Sequence, residues 1–294
     1  MKGVGKPHVP GHLLHHHAGL LQPLGREVHL EPEEILIGAL VVVTPKQAAE
    51  IGVIDMALAR NLLQRPQPQA MPLVYSSSAC AYNTLLQQDP NVRALKESDA
   101  YPAMAERGYG WEKLISEQFC QEYWHERGMK TAIARFHNVY GPHGTWDGGR
   151  EKAPAALCRK VIEAIDTGKK DIAIWGNGEQ TRSFMYIDDC VHGIDKITHS
   201  DELIATPINL GSSEMVSIND LLTKIEKIAG AQMDRKYNLH APQGVAGRNS
   251  DNTFIKKVLK WEPNTKLDKG LAATYTWITE QYHDRKAGKR VGIG

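Results

Sequence analysis

Tyr109 and Lys113 lie four residues apart in the run Tyr109-Gly110-Trp111-Glu112-Lys113, a spacing that sets both side chains on one face of a helix. A free phenol ionises near pH 10 and is a poor base at neutral pH. An ammonium beside it favours the phenolate and brings the pair toward acid–base range. Ten tyrosines occur in the chain, so the spacing by itself also arises by chance. Ser78 gives it context, standing at the end of a short β-rich run about 30 residues upstream. Strand ends of an α/β sheet are where ligands bind, and a hydroxyl there can meet a tyrosine from the following helix.

Those side chains need a scaffold, and the pattern supplies one. Residues 35–43 read as a strand, and residues 46–64 carry Ala49, Val53, Met56 and Ala57 at helical spacing before Pro66 and Pro68 end the run. Residues 73–77 form the next strand, 109–126 a helix, and 131–138 a strand closed by Tyr140-Gly141-Pro142. The alternation predicts a mostly parallel sheet with helices on its faces. Beyond Gly144 the elements shorten. A helix over 154–165 carries proline in its first turn, 171–174 reads as a strand and 188–198 as a helix. Ser217 caps a helix running to Ile228, with Asp220 in a capping-box-like position, and 267–284 forms the final helix.

Composition excludes several classes. A formal charge of +1 gives no general field for nucleic acid or an anionic membrane, and no basic stripe supports a nucleic-acid role. Cys80, Cys120, Cys158 and Cys190 contain no Cys-x-x-Cys pair, which argues against zinc or a disulfide framework and for reduced thiols in a cytoplasmic enzyme. The longest apolar run, residues 35–43, is too short for a membrane span, and the N-terminus lacks a signal-peptide pattern. Six of the thirteen histidines precede residue 30, among prolines and glycines. A metal-binding tract there is conceivable, but the plainer reading is a poorly ordered leader.

Ser, Tyr and Lys in this order, with Arg135-Phe136-His137-Asn138-Val139-Tyr140-Gly141-Pro142 and Trp175-Gly176-Asn177-Gly178, resemble the extended nucleotide-sugar branch of the short-chain dehydrogenase/reductase superfamily. Ser78-Ala79-Cys80, Gly148-Gly149-Arg150-Glu151-Lys152-Ala153-Pro154, Gln180-Thr181-Arg182-Ser183-Phe184 and the run from Gly247 to Asn252 narrow it to that branch's epimerases of GDP-mannose at carbons 3 and 5. The resemblance covers roughly residues 74–282. It implies an NAD-dependent isomerase with a Rossmann-like α/β fold and a smaller α+β substrate-binding lid. Tyr109 would be the acid–base residue, Lys113 would hold the cofactor ribose, and Ser78 would bond the reacting oxygen. Cys80 and Lys152 would form a two-sided proton pair. Ser76 and His137 would join Tyr109 and Lys113 around the cofactor. Ser78, Ala79, Cys80, Asn138, Glu151, Lys152, Ala153, Lys160, Gln180, Thr181, Arg182 and Arg248 would contact the nucleotide sugar.

Plainer alternatives stand beside these roles. Taken singly, Lys160 and Arg182 read as solvated surface charges, and Cys120, Cys158 and Cys190 as packing residues. Trp175 reads equally as lid or core. The expected organisation is an atypical leader over 1–34, a partial NAD-binding domain over 35–145, and a mainly substrate-binding part over 146–294 interleaved with it. The strand, Gly-x-x-Gly-x-x-Gly and helix with which this branch opens is not found: Gly3, Gly5 and Gly11 have the wrong spacing. An incomplete N-terminal region with weak NAD binding is therefore expected, which leaves two alternatives open: a catalytically silent nucleotide-sugar binder, or a 4-epimerase. The expected ligand is GDP-mannose, and a homodimer through the Lys113 helix is implied by the resemblance alone.

Overall fold

A computed structural model describes residues 72–289 and Val291. The strand over 35–43, the helix over 46–64 and the histidine-rich leader lie outside the described residues.

Strand β1 (Leu73–Ser78) pairs in parallel with β2 (Thr131–Phe136), and β2 pairs in parallel with β7 (Pro207–Leu210). The central place of β2 explains its sequence: Thr131 to Arg135 are all buried, as a strand covered on both faces requires. Ala132 and Ala134 face the helix α3 (Ile187–Thr198), packing with Cys190 and Ile197. Residues of the other parity face α1 (Tyr109–Arg127), where Arg135 meets Glu117. Helices on both sides of a parallel sheet make this a Rossmann-like α/β arrangement.

Helix α1 is punctuated by Gly108 at φ 73° and by Gly128 at φ 65°, whose N–H returns to the carbonyls of Trp124 and Tyr123. Its buried stripe is Gly110, Lys113, Leu114, Glu117 and Cys120. Two charged residues on the inward face of a helix are costly unless answered, and both bear on the site below.

The strand expected over 131–138 ends two residues early. Asn138 takes φ 35°, a left-handed conformation that asparagine tolerates better than most residues. Its carbonyl accepts from Met185 N at 3.1 Å and its Nδ2 donates to the Ser183 carbonyl at 3.1 Å. The chain thereby leaves the first sheet and starts β3 (Val139–Tyr140), which pairs with β6 (Met185–Tyr186).

Helix α2 (Ala153–Thr167), with Pro154 in its first turn, packs with α4 (Ile218–Ala229) and α6 (Leu267–Lys286). Leu157, Val161, Leu221, Ile225, Leu271 and Ile278 form their shared core. Each such side chain contributes roughly 1.5–3 kcal/mol on burial. Ser217 caps α4, accepting from Asp220 N at 3.0 Å while its hydroxyl donates to the Asp220 carboxylate at 2.7 Å. Strand β4 (Asp171–Trp175) pairs in parallel with β9 (Asp234–Asn238), and β5 (Thr181–Ser183) lies between β10 (Gly247–Arg248) and β8 (Met215–Ser217). Helix α5 (Thr253–Leu259) packs against β7. Among the described residues no helix is long and apolar enough to cross a membrane, and no group of metal-ligating side chains occurs.

Candidate active site

The end of β1 and the start of α1 come together through backbone. Ser78 closes the strand, and its Oγ accepts from Cys80 N at 3.2 Å, capping the tight turn Ala79–Ala81. The Cys80 carbonyl accepts from Glu106 N at 3.1 Å. Gly110, in the first turn of α1, packs against that same carbonyl, and a Cβ there would collide with its oxygen. The thiol-bearing turn and the phenol-bearing helix are thus held at a fixed separation.

Lys113 Nζ lies 5.2 Å from the Tyr75 ring centroid and 5.3 Å from that of Tyr109. Burial pushes this ammonium below its ordinary range, with Glu112 and Cys80 drawing it part of the way back. Only 3% of Lys113 is exposed, and among the described residues it has neither a carboxylate nor a hydrogen-bond acceptor as partner. A buried ammonium with no acceptor among the described residues fits the vicinal hydroxyls of a dinucleotide ribose. The residues on this side of the site therefore suit NAD. Tyr109 keeps 39% of its surface exposed.

Cys80 faces a second charge. Arg248, from β10, places Nη1 at 3.5 Å from the Cys80 sulfur. Its Nε donates to Gln87 Oε1 at 2.7 Å, and its Nη2 pairs with the Glu106 carboxylate. Arg182, from β5, gives its donors to the carbonyls of Thr181, Gln243, Val245 and Ala246. Burial and the neighbouring Arg248 pull the Arg182 guanidinium down to about 10, against the opposing charges of Glu106 and Cys80. Neither arginine is a solvated surface charge. Thr181 Oγ1 donates to the Pro90 carbonyl, and Gln180 Nε2 to that of Trp175 at 2.8 Å. Gln180 Oε1 and Ser183 Oγ are buried without a hydrogen-bond partner among the described residues.

Other residues singled out in the sequence have surroundings of their own. Lys152 is the exposed N-cap residue of α2, followed by half-buried Ala153. Glu151 accepts from Arg159 Nη2 at 2.9 Å and from Gly149 N at 2.7 Å, so both oxygens are committed within the loop and helix that carry it. Lys160 Nζ donates to the Ala173 carbonyl at 2.7 Å, and burial lowers its pKa. Ser76 is half-buried in β1, beside the buried Tyr75 and Ser77. Cys120, Cys158 and Cys190 are buried, with burial raising all three thiols. Trp175 is 57% exposed and not core.

His137 has no exposed surface, and burial pushes it down to about 3. Its partner is Asn209 Oδ1 at 2.9 Å. Asn209 Nδ2 donates to the carbonyls of Leu95 and Asp251, which fixes Oδ1 as the acceptor and Nε2 of His137 as the donor. The lone pair on Nδ1 is then unmatched among the described residues.

Sequence reading missed the polar layer beneath the site. Glu117 is fully buried, pairs with Arg135 at 2.6 Å and 2.8 Å, and accepts from Ser77 Oγ. Arg135 reaches on to the Glu97 carbonyl and the Tyr82 hydroxyl, and Tyr82 donates to Asn209. One available signal was the third step of the helical stripe: Glu117 follows Lys113 by four residues, as Lys113 follows Tyr109.

The sequence profile of the NAD dependent epimerase/dehydratase family matches residues 31–211. The chain is 48% identical over 215 residues to GDP-mannose 3,5-epimerase 1 of Oryza sativa subsp. japonica, covering 72% of this chain and 54% of that protein. To GDP-mannose 3,5-epimerase of Arabidopsis thaliana it is 47% identical over 216 residues, covering 72% and 55%. The chain thus spans about half the length of these curated relatives. Its fold is similar to that of UDP-glucose 4-epimerase of Thermotoga maritima, solved with UDP-glucose, at a TM-score of 0.65 and 22% identity over 77% of this chain and 68% of that one.

Proposed function

Because the chain belongs to the NAD dependent epimerase/dehydratase family, we propose that it carries the chemical groups of an epimerase converting GDP-mannose to GDP-L-galactose. The observation that supports this most is the clamp between Cys80 and the start of α1, since that chemistry needs a thiol and a phenol beside one sugar ring. Identity of nearly half to GDP-mannose 3,5-epimerases supports the choice of nucleotide sugar.

In this reading Tyr109 takes the proton of the mannose 4-hydroxyl. Lys113 keeps that phenol in working range by its charge and binds the cofactor ribose, with Ser76 and the backbone at His137 beside it. Ser78 bonds the reacting oxygen. NAD, when bound, supplies reversible acceptance of the hydride from carbon 4. The resulting 4-ketone acidifies the hydrogens on carbons 3 and 5. Cys80 and Lys152 remove and return those protons from opposite sides, each worth about 10²–10⁴ in rate. Inversion at carbon 5 alone gives GDP-L-gulose. Arg182, Arg248 and Lys160 hold the diphosphate, for which the guanidinium fork is suited. Asn138, Glu151, Ala153, Gln180 and Thr181 surround the sugar. A homodimer through α1 accords with the exposure of Trp111 and Ile115 on that helix.

The test is incubation of the full chain with GDP-mannose in deuterated water, with and without added NAD, followed by mass spectrometry of the sugar. Deuterium at carbons 3 and 5, dependent on NAD, is the expected result. Binding without exchange, or isomerisation of UDP-glucose in place of GDP-mannose, rejects the reading.

A further inference from the structure

Of the two guanidiniums near Cys80, only Arg248 has a carboxylate partner among the described residues. Arg182 has no carboxylate partner among the described residues, its donors ending on neutral carbonyls. Arg248 is 7% exposed and pairs with Glu106, whose side chain is 34% exposed. Glu106 is well anchored in this position. Its N–H donates to the Cys80 carbonyl at 3.1 Å, and its own carbonyl accepts from Trp111 N at 3.3 Å. The loop before α1 therefore presents a fixed anion to a cluster that otherwise carries excess positive charge.

We infer that Glu106 is an internal counter-ion of Arg248 that competes with the diphosphate of the nucleotide sugar, and so sets how tightly this site takes a doubly charged ligand. The inference rests on the reading that Arg182 and Arg248 hold that diphosphate. A paired guanidinium has less free energy to offer an incoming anion than an unpaired one. With Glu106 half-exposed, the competition is worth what partly solvated ion pairs usually are, not the much larger value of a buried pair. Gln87, on the Nε side at 2.7 Å, keeps Arg248 aimed when the carboxylate is removed.

The test measures binding of GDP-mannose by calorimetry to the full chain, to Glu106→Gln, to Arg248→Ala, and to the two changes combined. Thermal melts confirm folding, and Glu106→Ala serves if the glutamine variant does not fold. Glu106→Gln is expected to bind about three- to fivefold more tightly than the parent. In the Arg248→Ala background, whose affinity is lower to begin with, Glu106→Gln is expected to change nothing, because the carboxylate acts through Arg248. Equal or weaker binding by Glu106→Gln, with the parent binding normally, overturns the inference alone and leaves Glu106 as a mere prop. If neither protein binds GDP-mannose, the diphosphate reading fails and takes the inference with it. A gain that persists without Arg248 also overturns it.

Discussion

Gly110 sits against the carbonyl oxygen of Cys80 so closely that the site has no room for a single methyl group between them. The glycine lies one residue after Tyr109 and inside the first turn of α1. The contact therefore ties the position of the phenol to the position of the thiol, through backbone and not through either functional side chain.

Gly110→Ala tests that tie. In an ordinary helix the change stabilises by roughly 0.8–1 kcal/mol, because alanine loses less entropy on folding. Here the added Cβ meets backbone oxygen, which cannot rotate away, so the helix start must shift. The expected outcome is a lower melting temperature in place of a higher one. A loss of exchange at carbons 3 and 5 should accompany it, since misplacement by about 1 Å can cost 10²-fold in rate. A more stable and fully active variant would show that the contact relaxes at no cost.

Chemistry and binding should separate at Cys80 and Lys152. Cys80→Ala and Lys152→Met are each expected to slow deuterium entry by about 10²–10⁴. The dissociation constant for GDP-mannose should change only a few-fold, because neither group is assigned to the diphosphate. Single-turnover exchange in deuterated water, alongside calorimetric binding, separates the two effects. A Lys152→Met variant with unaltered exchange would remove that residue from the proton pair.

The parts of this arrangement that were legible in sequence are those set by local punctuation. Helix α1 was readable from its period and the β1 end from its Ser-rich close, and each is within a residue or two of its observed bound. The close of β2 was not. Asn138 reverses the backbone there, and a lone asparagine after a strand carries no mark of a positive φ. Strand β7 was missed because Pro207–Leu210 is four residues, too short for alternation to show. Strand β9 was missed because Asp234–Asn238 is polar throughout and earns its place by pairing with β4. The contacts of Arg248 with Gln87 and Glu106 span 161 and 142 residues. No spacing rule reaches that far, so the Arg248 side of the candidate site was accessible by resemblance only. For Glu151 the resemblance points to the sugar, and its bonds to Arg159 and Gly149 were not legible beforehand.

The Glu117–Arg135 pair beneath the site yields a stability prediction. Removing Glu117 leaves Arg135, 2% exposed, as an uncompensated buried charge. Glu117→Ala is expected to cost about 3–5 kcal/mol, while Glu117→Leu combined with Arg135→Met should cost far less or nothing. Urea titrations of the three proteins decide between them. A single and a double variant of equal stability would mean that water reaches Arg135 once the carboxylate is gone.

His137 makes the last prediction, on pH. Its folded form is held neutral, down to about 3, by burial above all, with Arg248 and Arg135 adding repulsion against the Asn209 hydrogen bond. The unfolded chain binds a proton near pH 6.5, its ordinary value. Between those two values the unfolded state carries the extra proton, so stability rises with pH. The contribution is complete above about pH 7 and is lost as pH falls through 6 and 5, at roughly 1.4 kcal/mol per unit well below 6.5. His137→Gln keeps a donor for Asn209 and cannot titrate. Carboxylates also titrate in this range, so the quantity to compare is the difference between the two proteins. Relative to the variant, the parent should lose urea resistance as the buffer is lowered from pH 7 to pH 5, and the curves should run parallel above pH 7. Parallel curves across the whole range would mean that the imidazole takes its proton inside the fold, and that its buried Nδ1 is open to water.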